Sequence, residues 1–489
     1  MVEIEKTVIM HISDLHFGIE KKDPTVDNAY RKKVLEKFKE NYADMITHYP
    51  NYAPDILVVS GDIAFSGSPE DYEEAKDFFT YLIDEKLPGN RLTKESVILC
   101  FGNHDVQAET HIDFDSKKNV WTDYTARKTL DRPDPDLDFE DFYTYELNIS
   151  DRYHRFRNAE TFCKEMGFVE LSHNADSPYK YAYGSRKNVK GIDFISLNTE
   201  WDFWGELDKD AAIERMRIGV NLYSNVTESF NNLFDPSTNP RFVVYHRPLE
   251  YLHKHEQNDP RLNNPPDRTT GRMIVRQNDV SLNGHTHANE LKQNGMHTTI
   301  TAGSVHQNKR WEFSCNMLFV PKTLVEGRNK CEMWLYEYNS TVFNQPWQIV
   351  KSGKDKLFYI YRFKDSKKAD EFIVDYDNWS KIRDKLSRAN SEERRKTLSQ
   401  DYSSLKYLAS IFTTVWGDEG FNEVINELKE KKLVESLIGK RKENIPGTSS
   451  GGFVPKGEHS DYMEKVKSLG LYSTPDGGYY PSDPNRSKK

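Results

Sequence analysis

An α/β fold is predicted by three observations. Continuous apolar or β-branched runs alternate with helical periodicity through the first hundred residues; similar runs return at 192–198, 241–246, 280–284 and 297–304; and charged helical texture is confined to the part after residue 364. Strands that lack polar alternation belong to a sheet covered by helices on its faces.

Residues 7–12 form the first strand. Tyr30, Val34, Phe38, Tyr42 and Met45 then recur at three- and four-residue spacing, one face of an amphipathic helix. Residues 55–60 read Asp-Ile-Leu-Val-Val-Ser, a buried strand. A helix is expected over 69–84, with Ser68 as N-cap, Pro69 at the first helical position, and Tyr72, Ala75, Phe79 and Leu82 facing inward. Residues 97–101 supply the next strand. The stretch 107–190, rich in Asp, Tyr and Arg and helical at 153–166, interrupts the alternation and reads as an insertion over the sheet's edge or its active face. Runs at 315–320, 332–338, 347–350 and 357–363 have no helices between them, which predicts a second, more antiparallel sheet there.

The domain reading is a catalytic region over 1–364, a helical extension over 365–443, and a linker and tail over 444–489 that opens with a Gly/Ser/Pro-rich stretch. The simpler role of the extension is a charged helical cap. The alternative is a partner-binding or oligomerising segment with a winged-helix-like pattern at 423–434 and 462–480. The 489 residues carry a net charge of −9, and the acidity lies in the first 364, which hold 46 basic against 56 acidic residues. No apolar run approaches the roughly 18 residues that span a bilayer, and the N-terminus lacks an apolar signal core. Cys100, Cys163, Cys315 and Cys331 form no C-x-x-C pair, so they read as buried thiols in a reducing compartment. These features exclude a disulfide scaffold, a helical membrane protein and a polybasic nucleic-acid coat. They point to a cytoplasmic protein.

Five short elements each end a predicted strand: Asp14-Leu15-His16, Gly61-Asp62, Gly102-Asn103-His104-Asp105, His246-Arg247-Pro248 and Gly284-His285-Thr286-His287. Strand carboxyl ends line the ligand crevice of an open α/β sheet, so all five can converge. Together they offer two carboxylates, an amide oxygen and four imidazoles, a donor set that suits Mn, Fe, Zn or Ni better than Mg or Ca. Residues two apart on an extended segment point the same way, so D-x-H and H-x-H each deliver two donors. Any one strand-end histidine is more often a structural residue than a ligand; five such motifs together are not explained that way. His11 reads as packing or as a residue behind the ligands. Asn198, Thr199 and Glu200, at another strand end, divide evenly between a simple turn and a contact with the site. Arg247, His306, Lys309 and Arg310 are candidates for phosphate contact, although surface solvation is the commoner fate of any single one.

In this order the motifs closely resemble the calcineurin-like metallophosphoesterase superfamily, over roughly residues 5–310. The resemblance implies an αββα sandwich of four layers and two divalent metal ions. One would be held by Asp14, His16, Asp62 and His287, the other by Asp62, Asn103, His246 and His285, with Asp62 bridging. It implies in-line attack on phosphorus by a metal-bridging hydroxide, with His104 protonating the leaving oxygen; Asp105 either orients His104 or, equally often for an acidic residue in a turn, caps the local backbone. Manganese is the first expectation for the metal, with iron or zinc as alternatives.

The segment after Gly61-Asp62 lacks the Asp-Arg of the protein phosphatases of this fold, and no metal-binding tyrosine is evident at Ile63 or Phe65. The segments 11–18, 60–64 and 301–304 look like bacterial cyclic-nucleotide-type phosphodiesterases. Tyr245-His246-Arg247-Pro248 departs from that branch, which often carries two histidines before the proline; the ligand survives, and Arg247 is expected to bind substrate and alter specificity. A small nucleotide-like phosphodiester is thus the expected substrate. DNA or RNA is the alternative, by resemblance to DNA-break repair nucleases, and a regulatory subunit with a residual metal site is the third reading. An acidic catalytic region argues against a nonspecific nucleic-acid surface, which requires clustered Lys and Arg.

Overall fold

The computed structural model describes residues 5–22, 28–106, 156–168, 184–200, 218, 220–227, 239–252, 256–257, 269–294, 296–304, 313–340, 342, 346–350 and 356–362, together with the short strands 471–473 and 479–481. The chain divides into two compact units, Met1–Lys364 and Asp365–Lys489.

In the first unit, β1 (Lys6–Ile12), β2 (Ile56–Ser60) and β3 (Val97–Cys100) run parallel, joined through α1 (Asn28–His48) and α2 (Pro69–Leu82). The first helix begins two residues before the periodic face starts and runs the full length that Tyr30 to Met45 implied. The second starts at Pro69, whose fixed φ suits the first helical turn, and Ser68 has the extended backbone of an N-cap without a side-chain cap bond. Farther along, α3 (Arg157–Met166) ends at Gly167, which is left-handed at φ 66°.

A second sheet contains β4 (Gly184–Val189), β5 (Ile192–Leu197), β6 (Arg241–Val244), β7 (Val280–Asn283), β8 (Glu290–Asn294) and β9 (His297–Thr301), in the order β4-β5-β6-β7-β9-β8. The helices α4 (Val220–Thr227) and α5 (Thr270–Gln277) lie between its strands in sequence. The stretch taken as an insertion therefore ends before residue 184, because β4 pairs antiparallel with β5 across the Lys190-Gly191 turn. Both turn residues have positive φ, the geometry that twists a tight hairpin correctly.

The late strands correct a second expectation. β10 (Ser314–Pro321), β11 (Gly327–Tyr338), β12 (Trp347–Val350) and β13 (Lys356–Arg362) build no sheet of their own. β10 pairs antiparallel with β1, Ile9 opposite Leu318, and the first sheet reads β12-β11-β10-β1-β2-β3 with β13 also on β11. The runs are antiparallel among themselves, as their sequence suggests, but the edge they extend belongs to β1.

Alternation along β1 shows how the layers pack. Val8, Met10 and Ile12 join Val34, Phe38 and Phe78 in the core beneath the helices. Ile9 turns the other way, with Ile56, Val58 and Ile98, to meet Phe194, Phe242, Val244, Val280 and Leu282 of the second sheet. Strands buried on both faces explain the absence of polar alternation. Two mixed sheets with helices are the α/β architecture expected. The four cysteines are free and buried, and no described helix is long and apolar enough to cross a membrane.

In the second unit, β14 (Leu471–Ser473) pairs antiparallel with β15 (Tyr479–Pro481) on either side of Asp476-Gly477-Gly478. The helices expected at 379–388, 392–416 and 421–437 and the linker at 444–457 lie outside the described residues.

Candidate metal centre

The parallel strands β1, β2 and β3 of one sheet and β6 and β7 of the other all end at the same place, and each carries one of the five motifs. Their loops are knitted beyond the strands. Asp14 N–H donates to the Gly61 carbonyl (3.1 Å), His16 N–H to that of Asp62 (3.0 Å) and Phe17 N–H to that of Ile63 (2.9 Å). Arg31 of α1 donates to the Leu15 carbonyl and lies over the Phe17 ring. The two sheets are tied by His285 N–H donating to Asp14 Oδ2 (3.1 Å), and within the second sheet Gly284 N–H donates to the His246 carbonyl (3.0 Å).

Among described non-glycine residues, positive φ occurs at Asp14 (54°), His16 (47°), Asp62 (53°), His285 (68°) and His287 (55°), and otherwise only at Lys190 of the hairpin turn. Left-handed backbone costs free energy for such residues and persists where the surroundings enforce it, commonly at functional sites. The strain here coincides with the D-x-H, G-D and G-H-x-H motifs. Two glycines leave no room for a side chain: a Cβ on Gly102 would fall 2.2 Å from Asp62 Oδ1, and one on Gly284 1.9 Å from Ser13 Oγ.

The side chains at these strand ends lie close to one another. His287 Nε2 lies 3.0 Å from Asp14 Oδ1, and His16 Nε2 lies 3.8 Å from Asp14 Oδ1 and 3.7 Å from Asp62 Oδ2. His246 Nε2 lies 3.3 Å from Asp62 Oδ2 and 3.2 Å from Asn103 Oδ1. Three overlapping groups could each grip a cation with donor atoms within 4.8 Å of one another: Asp14, His16 and His287; Asp14, Asp62 and His246; His16, Asp62 and His104. Among the described residues Asp14 Oδ1 is buried with His287 Nε2 at 3.0 Å and accepts no hydrogen bond, which is costly for a carboxylate unless a cation meets it. The ring of His246 stands 5.2 Å from that of His285. These residues fit divalent metal binding.

Electrostatics agree with that fit. Burial opposes charge on His246, yet the adjoining Asp62 carboxylate raises its pKa to about 10. Asp62 is held well below the ordinary carboxylate range because the imidazoles of His246, His104 and His16 outweigh its own burial. The negative field that keeps a proton on His246 equally favours a cation. His246 Nδ1–H donates to the Ser60 carbonyl (2.8 Å), which fixes the tautomer and aims Nε2 inward. His104 is fixed in the same way, Nδ1–H to the Phe65 carbonyl (2.6 Å), with its ring stacked on Phe65 at 5.1 Å and edge-on to His16 at 4.5 Å.

Two expectations need correction. Asp105 does not orient the His104 ring. Its carboxylate is fully buried and accepts from the backbone N–H groups of Ala64 (2.9 Å), Gly102 (2.9 Å) and Ile63 (3.3 Å) and from the Tyr72 hydroxyl (3.0 Å). It staples the Gly61-Asp62 loop to the Gly102-Asn103 loop. Burial and the charge of Asp62 raise its pKa to about 6 despite those donors. Arg247 is likewise not displayed for substrate: it is 6 % exposed, and its Nε donates to both oxygens of Glu200 (2.9 and 3.0 Å). His306, Lys309 and Arg310 lie outside the described residues.

Sequence reasoning left Glu200 undecided and missed the Phe65 carbonyl. The signal for Glu200 was available: an acidic residue three positions past the buried run Ile-Asp-Phe-Ile-Ser-Leu must be paired if it stays buried, and Arg247 is a cation at a neighbouring strand end. His11 is buried behind the site, its Nε2 2.9 Å from Ser60 Oγ, and burial lowers its pKa to about 3, as suits packing rather than ligation.

Two packed sheets with carboxylates and imidazoles gathered at their strand ends define a metallohydrolase-type architecture. The chain belongs to the calcineurin-like phosphoesterases, whose sequence profile matches residues 7–289. That family acts on phosphoesters with divalent metals. No curated protein matches the sequence. Solved structures similar to it include a protein of Streptococcus pneumoniae described as a phosphoesterase predicted from sequence (9% identity, 73% of this chain and 99% of that one, TM-score 0.25). A phosphopantetheinyl hydrolase of Mycobacterium tuberculosis is similar at 15% identity, 61% and 90% coverage and TM-score 0.28. Vacuolar protein sorting 29 of Cryptosporidium parvum is similar at 7% identity, 74% and 100% coverage and TM-score 0.25.

Proposed function

We propose that the chain is a dinuclear-metal phosphodiesterase that hydrolyses a small, nucleotide-like phosphodiester. The observation that carries this reading is the proximity of donors from five strand ends, with Asp14, His16, Asp62 and His246 buried and Asn103, His285 and His287 partly so. Asp14, His16, Asp62 and His287 hold one cation; Asp62, Asn103, His246 and His285 hold the other. Imidazole and carboxylate together favour Mn²⁺, or Fe or Zn²⁺, over all-oxygen metals. Bound divalent cations supply Lewis acidity and bring the pKa of a coordinated water toward neutrality.

The protein's own residues do the rest. The Phe65 carbonyl holds Nδ1–H of His104, so Nε2 is the nitrogen that gives a proton to the departing oxygen, an effect worth about 10²–10⁴-fold. Phe65 shields one face of that ring. Asp105 and Arg31 keep the ligand loops in place without touching substrate. A complete donor set opposes the reading of a regulatory subunit with a residual site. The acidic balance of residues 1–364 favours a small substrate over a nucleic acid. Four buried free thiols fit a cytoplasmic location.

The test is an assay after Mn²⁺ reconstitution that compares bis-p-nitrophenyl phosphate, cyclic nucleotides, and single- and double-stranded DNA. Preference for the small diesters is expected. Preference for long polymers with steep salt dependence would instead make the protein a nuclease.

A further inference from the structure

His285 differs from two other imidazoles of the centre, His246 and His104. His246 and His104 each give Nδ1–H to a backbone carbonyl and turn Nε2 inward. Nε2 of His285 instead lies 3.2 Å from Nη1 of Arg247. A guanidinium has donors only and stays charged at any relevant pH, so the lone pair of His285 is already engaged by a permanent cation. Consistently, none of the described three-residue donor groups includes His285.

The guanidinium is held in that place. Glu200 is fully buried and meets Arg247 Nε with both oxygens. Glu200 is itself fixed, its N–H donating to Asn198 Oδ1 (2.8 Å) and its carboxylate accepting from Thr199 Oγ1 (2.9 Å). On the other side, the Tyr251 ring stands edge-on to His285 at 5.4 Å. A buried pair of this kind resists rearrangement, because separating it would strand a charge.

Building on the two-metal reading above, we propose that Arg247, clamped by Glu200, competes with the second cation for His285, so that the two metal positions fill unequally. The position served by Asp14, His16, Asp62 and His287 fills first. The position served by Asp62, Asn103, His246 and His285 fills only when the Arg247–His285 contact is given up. Glu200 offsets part of the repulsion between the guanidinium and the incoming ion, so the pair sets how far apart the two affinities lie.

The experiment is a Mn²⁺ titration of the metal-free, full-length protein by calorimetry, with bound Mn²⁺ followed by electron paramagnetic resonance. The wild type is expected to bind two ions in separate steps, at least about tenfold apart in affinity. Glu200→Gln removes the offsetting charge and widens the gap. Arg247→Gln with Glu200→Gln removes both charges and brings the two affinities within about threefold of each other. A single step in the wild type, or a gap that neither variant moves, overturns the proposal while leaving the dinuclear reading intact. Should the double variant fail to fold, the wild type and Glu200→Gln decide: widening supports the proposal, and an unchanged gap overturns it. Fewer than two ions at saturation would sink both readings.

Discussion

The two sheets bring their donors to the centre by different means. On the first-sheet side, Asp14, His16, Asp62, Asn103 and His104 sit on loops cross-linked by backbone hydrogen bonds, the Asp105 staple and Arg31. On the second-sheet side, His246 is anchored on Ser60 of the first sheet, whereas His285 rests against a buried ion pair. The same residue types therefore sit in unlike surroundings. Backbone anchoring fixes a ring with Nε2 already aimed inward, whereas the charge contact of His285 engages Nε2 itself. Donor identity, which motifs report, is thus a weaker guide to metal affinity than what stands behind each donor.

Asp62 is the residue both sides share, and its loss should break the comparison altogether. Asp62→Asn is expected to abolish metal binding and phosphoester hydrolysis together, read as metal content by mass spectrometry beside turnover; retention of both metals would contradict the bridging role. The next largest effect belongs to the first-sheet side alone. His104→Ala should slow turnover by about 10²–10⁴-fold with metal content unchanged, and loss of metal would show that His104 is a ligand.

Asp105→Ala sharpens the contrast by removing the staple without touching a donor. Three buried N–H groups and the Tyr72 hydroxyl lose their acceptor, so a destabilisation of about 3 kcal/mol or more is expected in chemical denaturation. A change within 0.5 kcal/mol, about the size of a neutral surface substitution, would contradict that role.

The smallest effect lies on the second sheet, away from the centre. His297 is buried, gives Nδ1–H to the Asn278 carbonyl and accepts from the Ser281 hydroxyl at Nε2, and burial lowers its pKa to about 4. An unfolded histidine titrates near 6.5 and takes up a proton that the folded state refuses. Its contribution is therefore whole above about pH 6.5 and lost as pH falls toward 4. His297→Asn should flatten the acid side of the stability profile by about one proton over that window; an unchanged slope would mean the ring is not the group that resists protonation.

The donors were legible in the sequence because their geometry is local. D-x-H, G-D, G-N-H-D and G-H-x-H each report a strand end and a tight turn, and the strained φ values fall on those residues. Helices with a periodic apolar face were legible for the same reason. What escaped depends on pairings between segments separate in sequence, from tens to hundreds of residues apart. Nothing within 314–321 says that it lies beside β1 rather than within a sheet of its own, since both placements satisfy the same apolar run. Arg247 carries the composition of a phosphate ligand, and only the position of Glu200 shows that its charge is committed elsewhere. The same holds for Asp105, whose three amide partners come from two separate loops.

The most direct test is anomalous diffraction at the manganese edge from crystals grown with saturating Mn²⁺. Two peaks sharing the Asp62 carboxylate are expected, one flanked by Asp14, His16 and His287 and the other by Asn103 and His246. Peaks at any other place, or none among these side chains, would contradict the account.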